Sequence, residues 1–208
     1  MSAWAALVER ARLQSRETVL INGATGTAGR LALQLAKYLG AGKIIGTGRN
    51  ESELKELASL RADLIIPFSI EPGNPAGSKR YEHALMAEFA RGIDVAIDYL
   101  WGESAKTIIV AIAKAVENAK PVRFVHTGGA SREENIELPG AALHSSAIQL
   151  MGSGVKSISF PKLLDGIGNV FHAVVPAKLQ IATKIVPLSA IEESWGAPGK
   201  PRIVVIIP

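Results

Sequence analysis

A glycine-rich segment near the start of the chain has the residue types that bind a phosphate. It reads GATGTAG (residues 23–29) and joins an apolar, β-branched run to a helical stripe of alanine and leucine. A phosphate needs close backbone approach, unpaired N–H groups and the positive end of a helix. Gly26 lacks the Cβ that would block this approach, and Gly29 allows the helix to pack tightly on the sheet. We therefore predict a dinucleotide diphosphate site with contacts from Gly23, Thr25, Gly26, Thr27, Ala28 and Gly29.

The end of the next apolar run predicts which dinucleotide is bound. A dinucleotide site normally has an acid about 20 residues beyond the glycine loop, where it binds the ribose 2′-OH. Here the segment reads GTGRN (residues 46–50) and contains no acid. Gly48 leaves space, and Arg49 offers a fork of donors suited to a phosphate, with Thr47 and Asn50 as weaker helpers. This pattern favours NADP over NAD, so NADPH over NADH, unless Arg49 is only a solvated surface residue.

Two later segments follow apolar runs and should reach the same edge of a parallel sheet. In an open sheet the ligand lies across the carboxyl ends of the strands. The segments are DYLWG (residues 98–102) and HTGGAS (residues 126–131). We expect cofactor contacts from Tyr99, Leu100, Trp101, Thr127, Gly128 and Gly129. Trp101 could equally pack beneath its loop, and His126 is interpreted as a hydrogen-bonded histidine at a strand end.

The elements that must position these residues alternate between strand and helix. Apolar runs predict strands, and apolar residues at helical spacing predict helices. Strands are predicted at 18–22, 43–48, 63–68, 93–98, 122–126 and 147–152, and helices at 2–13, 28–39, 54–58, 81–89 and 105–116. The turn-rich stretch at 71–79 is predicted to be a surface loop.

This alternation predicts an α/β fold. We expect a doubly wound, parallel, six-stranded Rossmann sheet of order 3-2-1-4-5-6, with helices on both faces. A C-terminal helix-strand tail should follow, with elements at 163–174, 179–186, 188–195 and 202–208. In that tail, Ser189 is predicted to cap a short helix with Glu192 in the capping-box position.

Composition narrows the function classes. The 208 residues include no cysteine, which excludes disulfides and thiolate metal sites. The net charge is +4, with Lys and Arg scattered, so nucleic-acid binding gains little support. His83, His144 and His172 show no spacing typical of metal ligands. No apolar stretch reaches the length of a membrane helix and no signal peptide is evident, so a cytoplasmic location is expected.

Several segments, in order along the chain, resemble one family. The first 41 residues, with LINGATGTAGRLALQLAK, are similar to the start of the cofactor domain of medium-chain dehydrogenases/reductases. GIDVAIDYLWG resembles the family's fourth strand and cofactor loop. PLSAIEESW followed by RIVVIIP resembles its tail. The nearest resemblance is to the zinc-free quinone oxidoreductase-like and zinc-type alcohol dehydrogenase-like branches.

The resemblance implies a hydride-transferring oxidoreductase acting on a quinone, enone, alcohol or carbonyl. It divides the chain into a dinucleotide-binding domain at 1–160 and a tail at 161–208 that, in full-length relatives, packs on an N-terminal catalytic domain absent from this sequence. It also implies zinc independence and a homodimer formed through the sixth strand, around Ile148 to Ser153. Without that domain one wall of the substrate cleft is missing and substrate orientation is lost, so cofactor binding is expected to survive better than turnover. No catalytic residue of the family matches a position here with a defined role.

Two alternatives stay open at this point, and a third is disfavoured by the sequence. The chain could be a catalytically inactive NADP(H)-binding sensor or interaction module. The glycine loop could be a structural turn of a flavodoxin-like domain. Short-chain dehydrogenases share a GATG loop, but their Tyr and Lys four residues apart are absent, since Gly42, Leu85 and Glu103 follow the three tyrosines at that spacing.

Overall fold

A computed structural model of the protein describes residues 1–71, 73–196 and 201–207. Its main sheet has six parallel strands in the order β3-β2-β1-β4-β5-β6, which confirms the predicted doubly wound topology. The strands are β1 (Thr18–Asn22), β2 (Lys43–Gly48), β3 (Leu64–Pro67), β4 (Val95–Asp98), β5 (Val122–His126) and β6 (Ile148–Gly152). Because all six run in one direction, their carboxyl ends form one edge, where the sequence places the glycine loop.

Helices cover both faces of this sheet. They are α1 (Ser2–Trp4, continuing as π-wound turns over Ala5–Arg10), α2 (Thr27–Tyr38), α3 (Glu51–Glu56), α4 (Pro75–Gly92), α5 (Gly102–Ala115), α6 (Gly140–His144) and α7 (Phe160–Ala173). A short 3₁₀ turn, Val155–Ser157, lies between β6 and α7.

The alternation along β1 explains the two-sided core. Val19 and Ile21 pack with α1 and α2 on one face, and Leu20 packs with α4 and α5 on the other. All three side chains are fully buried. Burying one such aliphatic side chain stabilises a fold by about 1.5–3 kcal/mol, so both helical layers hold the central strand in place.

Several predicted helix boundaries differ from the structure, and three of the differences are larger than a shift at a helix cap. The first helix ends at Arg10 instead of continuing to residue 13, and it is π-wound over Ala5–Arg10. The third ends at Glu56, so residues 57 and 58 lie in the following turn. The predicted loop at 71–79 is helical from Pro75, since Asn74 caps α4 by accepting a 3.0 Å hydrogen bond from the N–H of Gly77. Pro72 lies outside the described residues.

The tail forms a second, two-stranded parallel sheet from β7 (Thr183–Pro187) and β8 (Arg202–Ile206). Between them lie a 3₁₀ turn, Leu188–Ala190, and α8 (Ile191–Trp195). The predicted strand at 179–186 therefore begins later. The predicted capping box was also wrong, because Ala190 is the N-cap residue of α8 and Ser189 lies inside the 3₁₀ turn. Pro208 of the predicted last strand lies outside the described residues.

Within the described ranges, every helix is too short or too polar to cross a membrane.

Candidate functional site

The loop after β1 makes a tight turn that leads directly into α2. Gly23 has φ +81°, a left-handed conformation that glycine adopts without steric strain. A Cβ on Gly29 would overlap the carbonyl oxygen of Gly23 and lie 2.7 Å from the Cα of Ala24. Gly26 is the N-cap residue of α2 and has no side chain to cap the first N–H groups of the helix. These N–H groups therefore remain available to an anion at the positive end of the helix.

A cleft of about 630 Å³ opens above this loop, at the carboxyl ends of the strands. Its size is in the range of small-molecule and cofactor sites. Most of the predicted contact residues line it, namely Gly23, Thr25, Gly26, Thr27, Ala28, Gly29, Gly48, Arg49, Asn50, Tyr99, Leu100, Gly128 and Gly129. The other lining residues, Glu53, Phe68, Ala130 and Arg202, were not predicted.

Trp101 and Thr127 were predicted as contacts, but neither lines the cleft. The Trp101 ring lies 4.5 Å from the His126 ring, centroid to centroid, and packs against the α4–α5 side of the core. Thr127 donates from its backbone N–H and its hydroxyl to the carbonyl oxygen of Asp98, at 2.7 and 2.9 Å. Both residues therefore connect the carboxyl ends of β4 and β5 beneath the cleft.

A buried polar network joins four strands under the floor of the cleft. The side chain of Asp98 is fully buried and accepts hydrogen bonds from the side chain of Asn22 (2.8 Å) and from the N–H groups of Leu100 and Trp101. Its second oxygen lies 2.7 Å from Nδ1 of His126. The hydroxyl of Thr47 donates to Asn22 at 2.7 Å. The predicted role of Thr47 as a helper to Arg49 is therefore wrong, because this side chain is fully buried and engaged.

This network stabilises the backbone conformation of the loop that follows β4. Trp101 has φ +65°, an uncommon conformation for a bulky residue. The Asp98 carboxylate bonds the N–H groups of this turn and so stabilises it. The turn carries Tyr99 and Leu100 to the cleft wall. From the sequence, Asp98 was predicted only as the last residue of a strand. Its role in this network could have been predicted from one signal: a carboxylate at the end of β4 lies level with an asparagine at the end of β1.

Two tyrosine hydroxyls lie buried close to this region. Among the described residues, neither Tyr81 nor Tyr99 has a hydrogen-bond partner for its hydroxyl. Burial raises the pKa of both phenols, so both are neutral at physiological pH. Phe68, at the cleft wall, packs on the Tyr81 ring with a centroid distance of 4.9 Å.

The end of β2 presents the predicted anion-binding residues. Arg49 is exposed, lines the cleft and forms no salt bridge within the described part of the chain. The Ser69 hydroxyl lowers the pKa of Glu71, and the charge of Arg49 adds a smaller lowering. Asn50 caps α3 by accepting from the N–H groups of Ser52 and Glu53. Arg49 therefore remains available to a ligand.

A second cavity of about 560 Å³ adjoins the cleft on its α3 side. The two share Thr25, Thr27, Glu53 and Arg202 as lining residues. Arg202 belongs to β8, in the tail. Its position beside the glycine loop could not be predicted from the sequence, because the two segments are far apart along the chain. Over residues 1–71, 73–196 and 201–207, no cluster of three or more His, Asp or Glu side chains could hold a metal ion.

No family model matches the chain. Relatives do match it. A probable NADPH-dependent quinone reductase of Emericella nidulans is 25% identical over 218 aligned positions, covering 100% of this chain and 59% of that protein. A reducing polyketide synthase of Gibberella moniliformis is 31% identical over 171 positions, covering 78% of this chain and 6% of the synthase. The chain thus spans less than two thirds of the length of either relative.

Solved structures share the fold. CurA from Vibrio vulnificus, solved in complex with NADPH, superposes with a TM-score of 0.68 at 17% identity, covering 93% of this chain and 56% of CurA. The order of strands, the glycine loop and the matches along the sequence agree on one assignment. These findings support the medium-chain dehydrogenase/reductase superfamily, and the matched part is its cofactor-binding domain.

Proposed function

We propose that the chain is the NADP(H)-binding domain of a zinc-independent oxidoreductase that reduces a small carbonyl, quinone or enone substrate. One observation carries the proposal: the glycine loop and Arg49, which forms no salt bridge among the described residues, line the same cleft. Glycine and asparagine flank Arg49 where an acid would favour NAD. The NADPH dependence in the name of the Emericella relative supports the choice of cofactor.

The residues of the cleft fit such a dinucleotide. The uncapped N–H groups of Thr27 and the residues after it suit the diphosphate, as Gly26 leaves them accessible. The Arg49 guanidinium suits the 2′-phosphate, because its donors match phosphate oxygens in pairs. Gly128 and Gly129, at the opposite end of the cleft, suit close approach by the nicotinamide ring. A nicotinamide cofactor supplies the hydride, and the chain supplies binding and orientation.

A substitution at Arg49 tests whether this residue determines the preference for NADPH over NADH. Replacing Arg49 with Ala should weaken NADPH binding by about tenfold to a hundredfold, since a hydrogen bond to a charged group contributes about 1.5–3 kcal/mol. NADH binding should change little, because it lacks the 2′-phosphate. Fluorescence titration with each cofactor measures both affinities. Equal losses for the two cofactors would contradict the assigned role.

The alternative is an NADP(H)-binding sensor or interaction module without catalysis. The observation that favours it is that the chain covers only 59% of the quinone reductase that it matches. A reduction assay with a quinone and an enone, on the same chain, separates the two. Turnover would favour the reductase, whereas tight NADPH binding without turnover would favour the module.

We also propose a homodimer through β6. This strand lies at one edge of the sheet, and Leu150 on it is 43% exposed. An apolar edge strand offers unpaired backbone groups to a second copy. Sedimentation equilibrium of the chain tests this directly, and a monomer at all concentrations would rule the dimer out. The division at residue 160 and the cytoplasmic location stay predictions.

A further inference from the structure

The connection between β5 and α6, which we call the β5–α6 loop (residues 127–139), contains neither helix nor strand. Connections of more than about 12 residues without secondary structure are uncommon in compact domains, and those that are ordered usually serve a function. Three of its residues, Gly128, Gly129 and Ala130, line the cleft at the end that we assign to the nicotinamide ring. The contacts that hold this loop therefore bear on how the ring is bound.

The beginning of the loop is bonded to the turn that follows β4. The N–H of Ala130 donates to the carbonyl oxygen of Tyr99, and the N–H of Ser131 donates to that of Leu100, both at 3.0 Å. Tyr99 and Leu100 also line the cleft. The β5–α6 loop and the turn after β4 therefore form one continuous wall of the cleft, and a shift of one would move the other.

The carboxylate of Glu133 attaches the loop to α5. It accepts a 3.2 Å hydrogen bond from the N–H of Glu103, in the first turn of that helix. Among the described residues, the N-cap residue Trp101 makes no side-chain cap hydrogen bond, and the Glu103 carboxylate is engaged with Lys106 at 3.3 Å. Glu133 therefore supplies both an acceptor and a negative charge at the positive end of the helix.

Gly102 leaves the space that this carboxylate occupies. A Cβ on Gly102 would overlap Oε1 of Glu133 and lie 2.8 Å from its Oε2. The N–H of Glu133 donates to the hydroxyl of Ser131 at 3.1 Å, which fixes the backbone just before it. Further along, Ile136 and Leu138 pack against the core on the α4–α5 side of the sheet. Glu133 thus lies between two anchored parts of the loop and joins both to α5.

We infer that Glu133 is a positioning residue for the nicotinamide ring: by capping α5, it holds the β5–α6 loop where Gly128 and Gly129 can contact that ring. This inference rests on the proposed function, because it needs NADP(H) in the cleft. The other half of the cofactor has its own contacts at the glycine loop and at Arg49, which belong to other elements. A change at Glu133 should therefore affect binding of the nicotinamide half and not of the adenosine half.

Titration of the full chain and its variants with two ligands tests this inference. NADPH contains both halves, whereas 2′,5′-ADP contains the adenosine and the 2′-phosphate without the nicotinamide. Glu133→Ala should raise the NADPH Kd by about threefold to tenfold, because the effect is limited by the free energy of one helix cap. The Kd of 2′,5′-ADP should not change.

Two further variants serve as controls. Glu133→Gln should recover part of the loss, because the amide oxygen still accepts from the N–H of Glu103 without the charge. Glu134→Ala removes the neighbouring exposed carboxylate from the same loop and should leave both Kd values unchanged. Urea unfolding of each variant verifies that the chain is folded.

The outcomes separate this inference from the proposed function. A loss of NADPH affinity at Glu133→Ala, with 2′,5′-ADP unaffected, supports the positioning role. If the variant weakens both ligands equally, changes neither, or behaves as Glu134→Ala does, the inference is overturned while the cofactor site stands. If the unmodified chain binds neither ligand, the proposed function itself fails.

Discussion

Replacing Gly26 with Val is expected to abolish binding of both NADPH and NADH while the protein stays folded. Gly26 has φ −70° and ψ 160°, a conformation that valine adopts readily. A Cβ there would meet only the carbonyl oxygen of Gly23, at 3.5 Å, which is an ordinary contact. The fold therefore accepts a side chain at this position, and the added bulk projects at the proposed diphosphate site.

The expected loss is large because several contacts fail together. Two charge-assisted hydrogen bonds to the diphosphate are together worth about 3–6 kcal/mol, which is a hundredfold or more in Kd. The cost to stability is about 1 kcal/mol, because valine is a poorer N-cap residue than glycine. Fluorescence titration gives the affinities, and urea unfolding gives the stability.

Gly154→Val serves as the matched control for this substitution. A Cβ on Gly154 meets no described atom within 4 Å, and Gly154 lies outside the cleft lining. This variant should bind both cofactors as the unmodified chain does. If Gly26→Val also binds normally, the glycine loop is not the diphosphate site.

The second large effect is expected when Asp98 is replaced, and it is a loss of folding stability. Asp98→Ala should lower the free energy of unfolding by about 3–5 kcal/mol, the range found when one partner of a buried charged network is removed. The side chain of Asn22 and the N–H groups of Leu100 and Trp101 would lose their acceptor. Without it, the strained turn at Trp101 loses its main support.

Urea unfolding without any cofactor measures this effect. Asp98→Asn should cost less, because the amide keeps one oxygen as an acceptor for these donors. Asp165→Ala, which removes an exposed carboxylate on α7, is the control and should change stability by about 0.5 kcal/mol or less. A loss at Asp98→Ala no greater than at Asp165→Ala would mean that the network contributes nothing.

The sequence predicted the cofactor end of the fold well, because local signals there agree with one another. Gly23 makes the tight turn, and Gly29 allows α2 to pack closely against the backbone of Gly23 and Ala24. The apolar residues before and after the loop have the spacing of a strand and of a helix, respectively. Strand order followed from the alternation of elements and the right-handed crossover rule. Neither inference required any knowledge of long-range contacts.

What the sequence did not predict depends on contacts between distant residues. Asp98 meets Asn22 and His126 only because parallel strands align their carboxyl ends in register. Trp101 faces away from the cleft because this network turns the backbone at that point. Arg202 lines the cleft beside the glycine loop because the tail docks on Gln34, which bonds Gln180 at a sequence separation of 146.

Other errors came from local signals that were present but read incorrectly. Asn74 followed by Pro75 is a helix start, since the asparagine side chain caps and proline suits the first turn. The density of glycine and proline around it favoured a loop instead. At Ser189 the sequence matched a capping box, but the 3₁₀ turn shifted the helix start to the next residue and left the serine hydroxyl outside the cap position.

The central claim is that this chain binds NADP(H) in the cleft above its glycine loop. Isothermal titration calorimetry of the unmodified chain with NADPH tests it most directly. We expect saturable binding at one site per chain, with weaker binding of NADH. The absence of saturable heat with either cofactor, from a chain shown to be folded, would contradict the account.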